Sequence, residues 1–325
     1  MAKTKTPAVR HLRYEITNSA TAGTETSHYV DIARDLAAIN RRMMPQGRVY
    51  HVAKVTVVSR NTLGATNIYD QTAFPGATTQ IHEAGFISVS VAPNSWTVRG
   101  AVKYGKELFE KMKKKATEAS SMSNLDGKYA DFKIRGLHGG AAFPTFLVPK
   151  DNGGNNLSLG EWDYTVFQSP DGTTGTDNYL CHLLGPHAGS VGNFTSVGLV
   201  ESFGNNRVTV TSNTPGQPLE GDDDPLANLF DDGAQNDEIL ANIQSNNDSP
   251  PYDRLEYPGS ADNMPRPVVV QHGTLGADGR VVLGGFAAVA GLIEFEATSP
   301  IENDVYSVLI ELREGSFKGI AAEAI

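Results

Sequence analysis

Apolar positions along this chain follow two periods, and the sharpest change between them falls at residues 85–120. In GFISVSV, Phe86, Ser88 and Ser90 alternate with Ile87, Val89 and Val91, the two-residue repeat of a strand. Pro93-Asn94-Ser95 breaks that run. After Gly100 the apolar residues Ala101, Tyr104, Leu108, Met112 and Ala116 fall on one helix face. The opposite face carries Lys103, Lys106, Lys111, Lys113, Lys114 and Lys115 against Glu107 and Glu110. The pattern predicts a strand ending at the proline, a cap at Asn94 or Ser95, and a basic amphipathic helix over about 100–118. Trp96 and Tyr104 are expected to pin that helix to a barrel wall.

Most other periodic segments read as strands. Residues 9–17 form a first candidate. Residues 48–60, RVYHVAKVTVVSR, form the strongest, long and rich in β-branched residues. Between them Ile32, Leu36 and Ile39 line a short helix with Asp31 at its start. Further strands are expected at 129–137, at 161–170, in YLCHLLGP, in NFTSVGLVESF and in NRVTVTSN, with Gly204-Asn205 as a hairpin turn. PVVVQHGTL, GRVVLGGFAAVAG, LIEFEATS and DVYSVLIELREG supply four more near the C-terminus. KDNGGNNLSLG at 150–160 reads as a linker. The expected fold is all-β: two jelly-roll sandwiches, 1–150 with the basic N-terminal segment and the helix, and 151–325 with an acidic loop.

Charge sharpens this division. The net charge is −10, yet residues 220–262 alone hold twelve acids and one base, Arg254. That stretch is −11, so the remainder is +1. Basic character therefore concentrates at the N-terminus and on the helix. There is no run of 18 apolar residues, and no apolar segment follows the basic MAKTKTPAVRHLR, so no secretory signal is expected. Cys181 is the one cysteine, which excludes an internal disulfide.

Motifs for catalysis are missing. His138-Gly139-Gly140 has the look of oxyanion-hole glycines, but no G-x-S-x-G turn accompanies it. Nor is there an H-E-x-x-H, a P-loop or a dinucleotide-binding glycine pattern. His51, His182 and His187 read as structural. Asp222, Asp223 and Asp224 cluster on a loop and are candidates for calcium, although the spacing is not an EF-hand's. No other metal, cofactor or catalytic residue is expected.

The order of a strand, Pro-Asn-Ser-Trp-x-x-Arg-Gly at 93–100, an amphipathic helix and many glycine-punctuated strands resembles the major capsid proteins of small tailless icosahedral DNA viruses. The C-terminal SVLIELREGSFKGIAAEAI, a strand with a small-residue tail, fits that likeness. Among them the layout is similar to the double-jelly-roll capsid proteins, as in the lipid-containing single-stranded-DNA phage of Flavobacterium. The resemblance implies a non-enzymatic shell subunit that is made in the host cytoplasm and resides in the virion. It implies homotrimers in a capsid lattice, with penton or minor capsid proteins as further partners. Lys3, Lys5, Lys111, Lys113, Lys114 and Lys115 would face inward, toward the genome or an internal membrane. The nearest variant is a single jelly roll with a protruding insertion at about 150–260. A second class of reading is a carbohydrate-binding or carbohydrate-cleaving sandwich. It would use Trp162, Tyr164, Tyr252 and Tyr257 as stacking platforms.

Overall fold

The computed structural model describes residues 8–60, 84–119, 130–137, 145–168, 178–190, 193–206, 267–276 and 279–325. The acidic stretch 220–262, Lys3, Lys5, Tyr252, Tyr257 and His138-Gly139-Gly140 lie outside them. The described chain is mostly β, with several sheets and few helices.

Two antiparallel sheets form the main body. The first joins β1 (His11–Thr17), β14 (Val305–Leu312), β3 (Arg48–Ser59) and β11 (Arg280–Leu283) in that order, with β12 (Phe286–Val289) and β15 (Ala322–Ala324) also on β3. The second runs β10 (Val268–Leu275), β4 (Gly85–Val91), β13 (Leu292–Thr298), β2 (Thr26–Asp31). Alternation decides which side of each strand is inside. Leu12, Tyr14 and Ile16, Val55 and Val57, and Val308 and Ile310 from the first sheet meet Ile87 and Val89, Ile293 and Phe295 from the second in one core. Counting β11 with β12, and β14 with β15, as single positions along the two edges of β3, the strands cross from sheet to sheet at each step in chain order except from β4 to β10, which are neighbours in the same sheet.

The division expected at residue 150 is not where the sheets divide. β1 pairs with β14 over His11↔Glu311 to Thr17↔Val305, and β2 pairs with β13. Both ends of the chain therefore build one sandwich, rather than one sandwich each. The linker-like composition of 150–160 is a poor guide because a glycine- and asparagine-rich loop marks a turn as readily as a boundary. Here Asp151 Oδ1 accepts from the Asn155 amide at 2.8 Å, closing a local turn, and Lys150 N donates to Arg13 O at 2.7 Å.

β3 bends at Ala53. The register against β14 jumps from Glu311↔Lys54 to Leu312↔Val52, so Ala53 has no partner there, the mark of a bulge. On the other edge β11 ends at Leu283↔Val55 and β12 starts at Phe286↔Val52. Gly285 fills the gap because nothing larger fits: a Cβ would lie 2.7 Å from Val52 O and 2.8 Å from Ala53 O.

Residues 92–267 are an insertion between two paired strands. Within it α2 (Trp96–Ala119) and α3 (Leu199–Asn206) pack beside a mixed sheet of β5 (Arg135–Leu137), β7 (Asn178–Leu184), β9 (Asn193–Gly198) and β8 (Ala188–Ser190), with β6 (Val166–Gln168) also on β7. β5 and β9 run parallel to β7, so this sheet departs from the antiparallel expectation. Its apolar residues form a second core with Val49, Val289 and Leu292 of the sandwich. The hairpin expected at Gly204-Asn205 lies within α3. The expected strands at 129–137 and 161–170 shrink to three residues each, β5 and β6.

Candidate functional site

The best-defined candidate surface is where the insertion meets the sandwich, and α2 begins it. Ser95 caps the helix, its Oγ accepting from Val98 N at 3.3 Å. The buried stripe is Val98, Ala101, Val102 and Gly105, continued by half-buried Leu108, Phe109 and Met112. It overlaps the expected stripe, but Ala116 is exposed. Close packing explains the two glycines. A Cβ on Gly100 would lie 2.6 Å from Phe203 Cζ, and one on Gly105 2.7 Å from Phe132 Cζ. Helix propensity is given up so that the elements can approach.

Trp96 does not pin the helix to the sandwich wall. It stands at the first position of α2, 50% exposed, with its ring edge-on to Phe203 of α3 at 6.4 Å. Tyr104 also leans on Phe203, at 6.3 Å. Both anchors face the insertion's own helix, whose helical character the alternating reading of NFTSVGLVESF conceals. Lys103, Lys106, Lys111, Lys114 and Lys115 are exposed. Lys113 is half-buried and donates to Ala130 O at 3.4 Å, and Lys114 pairs with Glu118 at 3.7 Å. α2 carries seven basic and three acidic residues.

Beneath this surface lies a buried polar cluster that periodicity could not reveal. Asp31 caps α1 (Ile32–Asn40), with Oδ1 accepting from Arg34 N at 3.0 Å. Its Oδ2 accepts from Gln46 Nε2 at 3.0 Å. Gln46 in turn clasps Ile134 of the insertion, donating to its carbonyl at 3.0 Å and accepting from its amide at 2.5 Å. Arg34 donates through Nε to Asp35 Oδ1 at 2.8 Å and through its guanidinium to Leu147 O. Tyr14 Oη donates to Asp35 Oδ2 at 2.6 Å. Asp31, Asp35 and Gln46 are fully buried. Burial pushes the Asp31 carboxyl up to about 7, against the pull of its hydrogen bonds from Arg34 and Gln46. Burial likewise raises Asp35 despite the adjacent Arg34. Two carboxyls with one guanidinium thus tie the sandwich to residues 134 and 147.

The remaining expectations divide. Among the described residues no group of three His, Cys, Asp or Glu side chains is placed to hold a metal; the calcium candidates Asp222, Asp223 and Asp224 lie outside them. His182 is buried, with Nδ1 2.8 Å from Ser196 Oγ and Nε2 2.8 Å from Pro186 O. His187 Nδ1 accepts from Gly198 N at 3.0 Å. Both histidines are thus hydrogen-bonded within the insertion. Cys181 is buried, and burial pushes its thiol up to about 12. Trp162 and Tyr164 are half-buried; the Tyr164 ring is stacked on Phe146 at 6.0 Å, with the Arg135 guanidinium 4.4 Å from its centroid. They do not form an open stacking platform. A small cleft lies between the second sheet and the insertion, bordered by Tyr29, Phe146, Leu183, Pro267 and Glu294. Tyr29 Oη donates to Glu294 Oε1 there at 2.7 Å.

Comparison with protein-family models, with curated proteins and with solved structures gave no match to this chain.

Proposed function

We propose that this chain is the major structural subunit of an icosahedral virion shell, acting by self-association rather than by catalysis. The observation that carries the reading is the strand order. With β11 and β12 taken as one position and β14 and β15 as another, eight strand positions lie in the two sheets, and every step crosses between sheets except β4 to β10. That order supports a jelly-roll reading, an architecture shared by viral capsid and lectin domains. The subunit we infer has a single jelly roll with one large insertion, in place of two stacked sandwiches. The insertion occupies 92–267, a wider span than the 150–260 of the sequence-based variant.

In this reading homotrimers tile the lattice, with penton or minor proteins at special positions. The basic end of the molecule that carries α2 turns toward the genome or an internal membrane, and Lys3 and Lys5, which lie outside the described residues, would face the same side. Because jelly rolls also serve as lectins, fold alone does not choose between the classes. The half-buried placement of Trp162 and Tyr164 favours the shell over the carbohydrate reading. Light scattering after size exclusion, followed by negative-stain microscopy at high protein concentration, tests it. Trimers or closed shells are expected. A monomer at all concentrations that is retained on a glycan array would overturn the proposal.

A further inference from the structure

The short segment between α1 and β3, Arg41-Arg42-Met43-Met44-Pro45-Gln46-Gly47-Arg48, gathers cations from three separate parts of the chain. Arg41, Arg42 and Arg48 belong to it. Lys318, from the turn after β14, donates through Nζ to Met43 O. It does so from a left-handed backbone, φ 51°, which non-glycine residues seldom adopt. Lys106 of α2 lies against Gly47; a Cβ there would be 3.5 Å from Lys106 Cδ and 3.6 Å from its Nζ. The Arg48 guanidinium sits 3.4 Å from the Phe317 ring centroid, with Lys318 Nζ 5.3 Å from the same ring.

These cations are not balanced locally. Among the described residues no ion pair joins Arg41, Arg42, Arg48, Lys106 or Lys318 to a carboxylate. The neighbouring acids are otherwise placed: Glu323 pairs with Arg99 at 2.8 Å and Glu314 with Arg10 at 3.8 Å. Asp131 is the acidic group whose charge reaches Lys318. Burial, with Arg48 and Arg42 nearby, holds the Lys318 amine below its ordinary value. Five cations round one loop repel each other, and a polyanion would relieve the repulsion.

We propose that this loop, with Lys106 and Lys318, is a binding surface for the phosphodiester backbone of single-stranded nucleic acid. Arg48 donates through one guanidinium nitrogen to Ala322 O at 3.2 Å, and the rest of its planar fork, held on the Phe317 ring, is available to phosphate. A bilayer is the less suitable partner. The apolar stripe of α2, Val98, Ala101 and Val102, is buried in the second core, so the helix has no free apolar face to insert. The inference rests on the shell reading only for which nucleic acid is met. Binding is measured on unassembled protein, so it can fail while assembly succeeds, and the reverse.

The test is fluorescence anisotropy with a labelled oligodeoxythymidine across a salt series, on the full chain. R42Q/K106Q/K318Q is compared with K111Q/K114Q/K115Q, which removes the same charge from the far part of α2; circular dichroism melts establish that both fold. The loop variant is expected to bind about tenfold or more weakly at low salt, with a salt slope shallower by about 2, at about 0.7 per single-strand phosphate contact. The helix variant, whose lysines the shell reading also turns inward, should lose clearly less affinity than the loop variant. Equal losses in both variants, or no binding by the unmodified chain, would refute the proposal. So would phosphatidylglycerol vesicles displacing the oligonucleotide while the loop variant binds those vesicles as poorly as it binds DNA.

Discussion

Replacing Asp31 by asparagine separates the charge of this buried carboxyl from its shape. Asparagine is as good an N-cap as aspartate, so the bond from Arg34 N can persist. What disappears is the titration. The folded protein holds the Asp31 carboxyl at about 7, against 3.8 for the free side chain. A raised pKa means that the folded state keeps a proton which the unfolded chain has already released. The stabilisation is therefore complete below the unfolded value and is lost as pH rises through the folded one. The whole span is about 4 kcal/mol, of which about 2.5 kcal/mol falls between pH 5 and pH 8. Asp35 and Glu294 are shifted in the same direction by burial, but native protein and variant share them. The assay is urea unfolding of the native and Asp31→Asn proteins at several pH values, read as a difference. The substituted side chain imposes a constant cost where its amide meets Gln46, which shifts the difference without tilting it. Native stability should fall relative to the variant by about 2.5 kcal/mol from pH 5 to pH 8. A difference that is flat over this range, or native protein gaining on the variant with rising pH, would refute the reasoning.

Other expectations follow from single contacts. Gly285→Ala should cost about 2–3 kcal/mol in urea unfolding, because its Cβ would meet two backbone oxygens of β3 that cannot turn aside. Phe295→Ala, at a fully buried ring in the sandwich core, should cost about 3–5 kcal/mol by the same measurement. Gln46→Leu strips both hydrogen bonds from the backbone of Ile134 and one from Asp31. It should destabilise by about 2–4 kcal/mol and speed hydrogen exchange at Ile134 more than in the core of β14. Cys181 should react with an aromatic disulfide reagent at mildly alkaline pH only after denaturant is added, given its burial and high pKa.

Much of the sandwich is legible in the sequence because one face of each strand is wet. Residues 305–312 alternate cleanly, and the β-branched run at 48–59 is a strand whose alternation is broken once, at the Ala53 bulge. The α2 cap at Ser95 is legible from its break of period and its side chain. Pairing is not legible, since alternation names a strand's faces and says nothing of its neighbour. Thus β1 and β14, far apart in the chain, fall on opposite sides of the expected domain boundary although their residues interdigitate in one core. The insertion is the least legible part. Its strands β5 and β6 are three-residue pieces of the longer alternating runs at 129–137 and 161–170, because alternation alone does not say how much of a run finds a partner. Arg34 and Asp35 look like solvent positions of α1 until the backbone of Leu147 and the hydroxyl of Tyr14 are seen beside them.

The placement of the insertion accounts for why so large an element can interrupt a sandwich. β4 and β10 are antiparallel neighbours, and Val91 stands opposite Val268. The insertion thus leaves and returns at a single point, as a hairpin loop does, and loop-closure entropy grows only slowly with its length. It has nevertheless become more than a loop. Val49, Val289 and Leu292 of the sandwich are buried by it, and Gln46 and Arg34 are completed by its backbone. Both chain ends come to the same place: Val9 bonds to Asn40, and Ile325 N donates to Gly47 O at 3.3 Å. One end of the molecule therefore carries α1, α2, both described termini and the cation-rich loop, while the loops 18–25 and 299–304 close the opposite end. A subunit so polarised has a ready distinction between two surfaces, which a closed shell requires of its building block and a freely tumbling binding module does not.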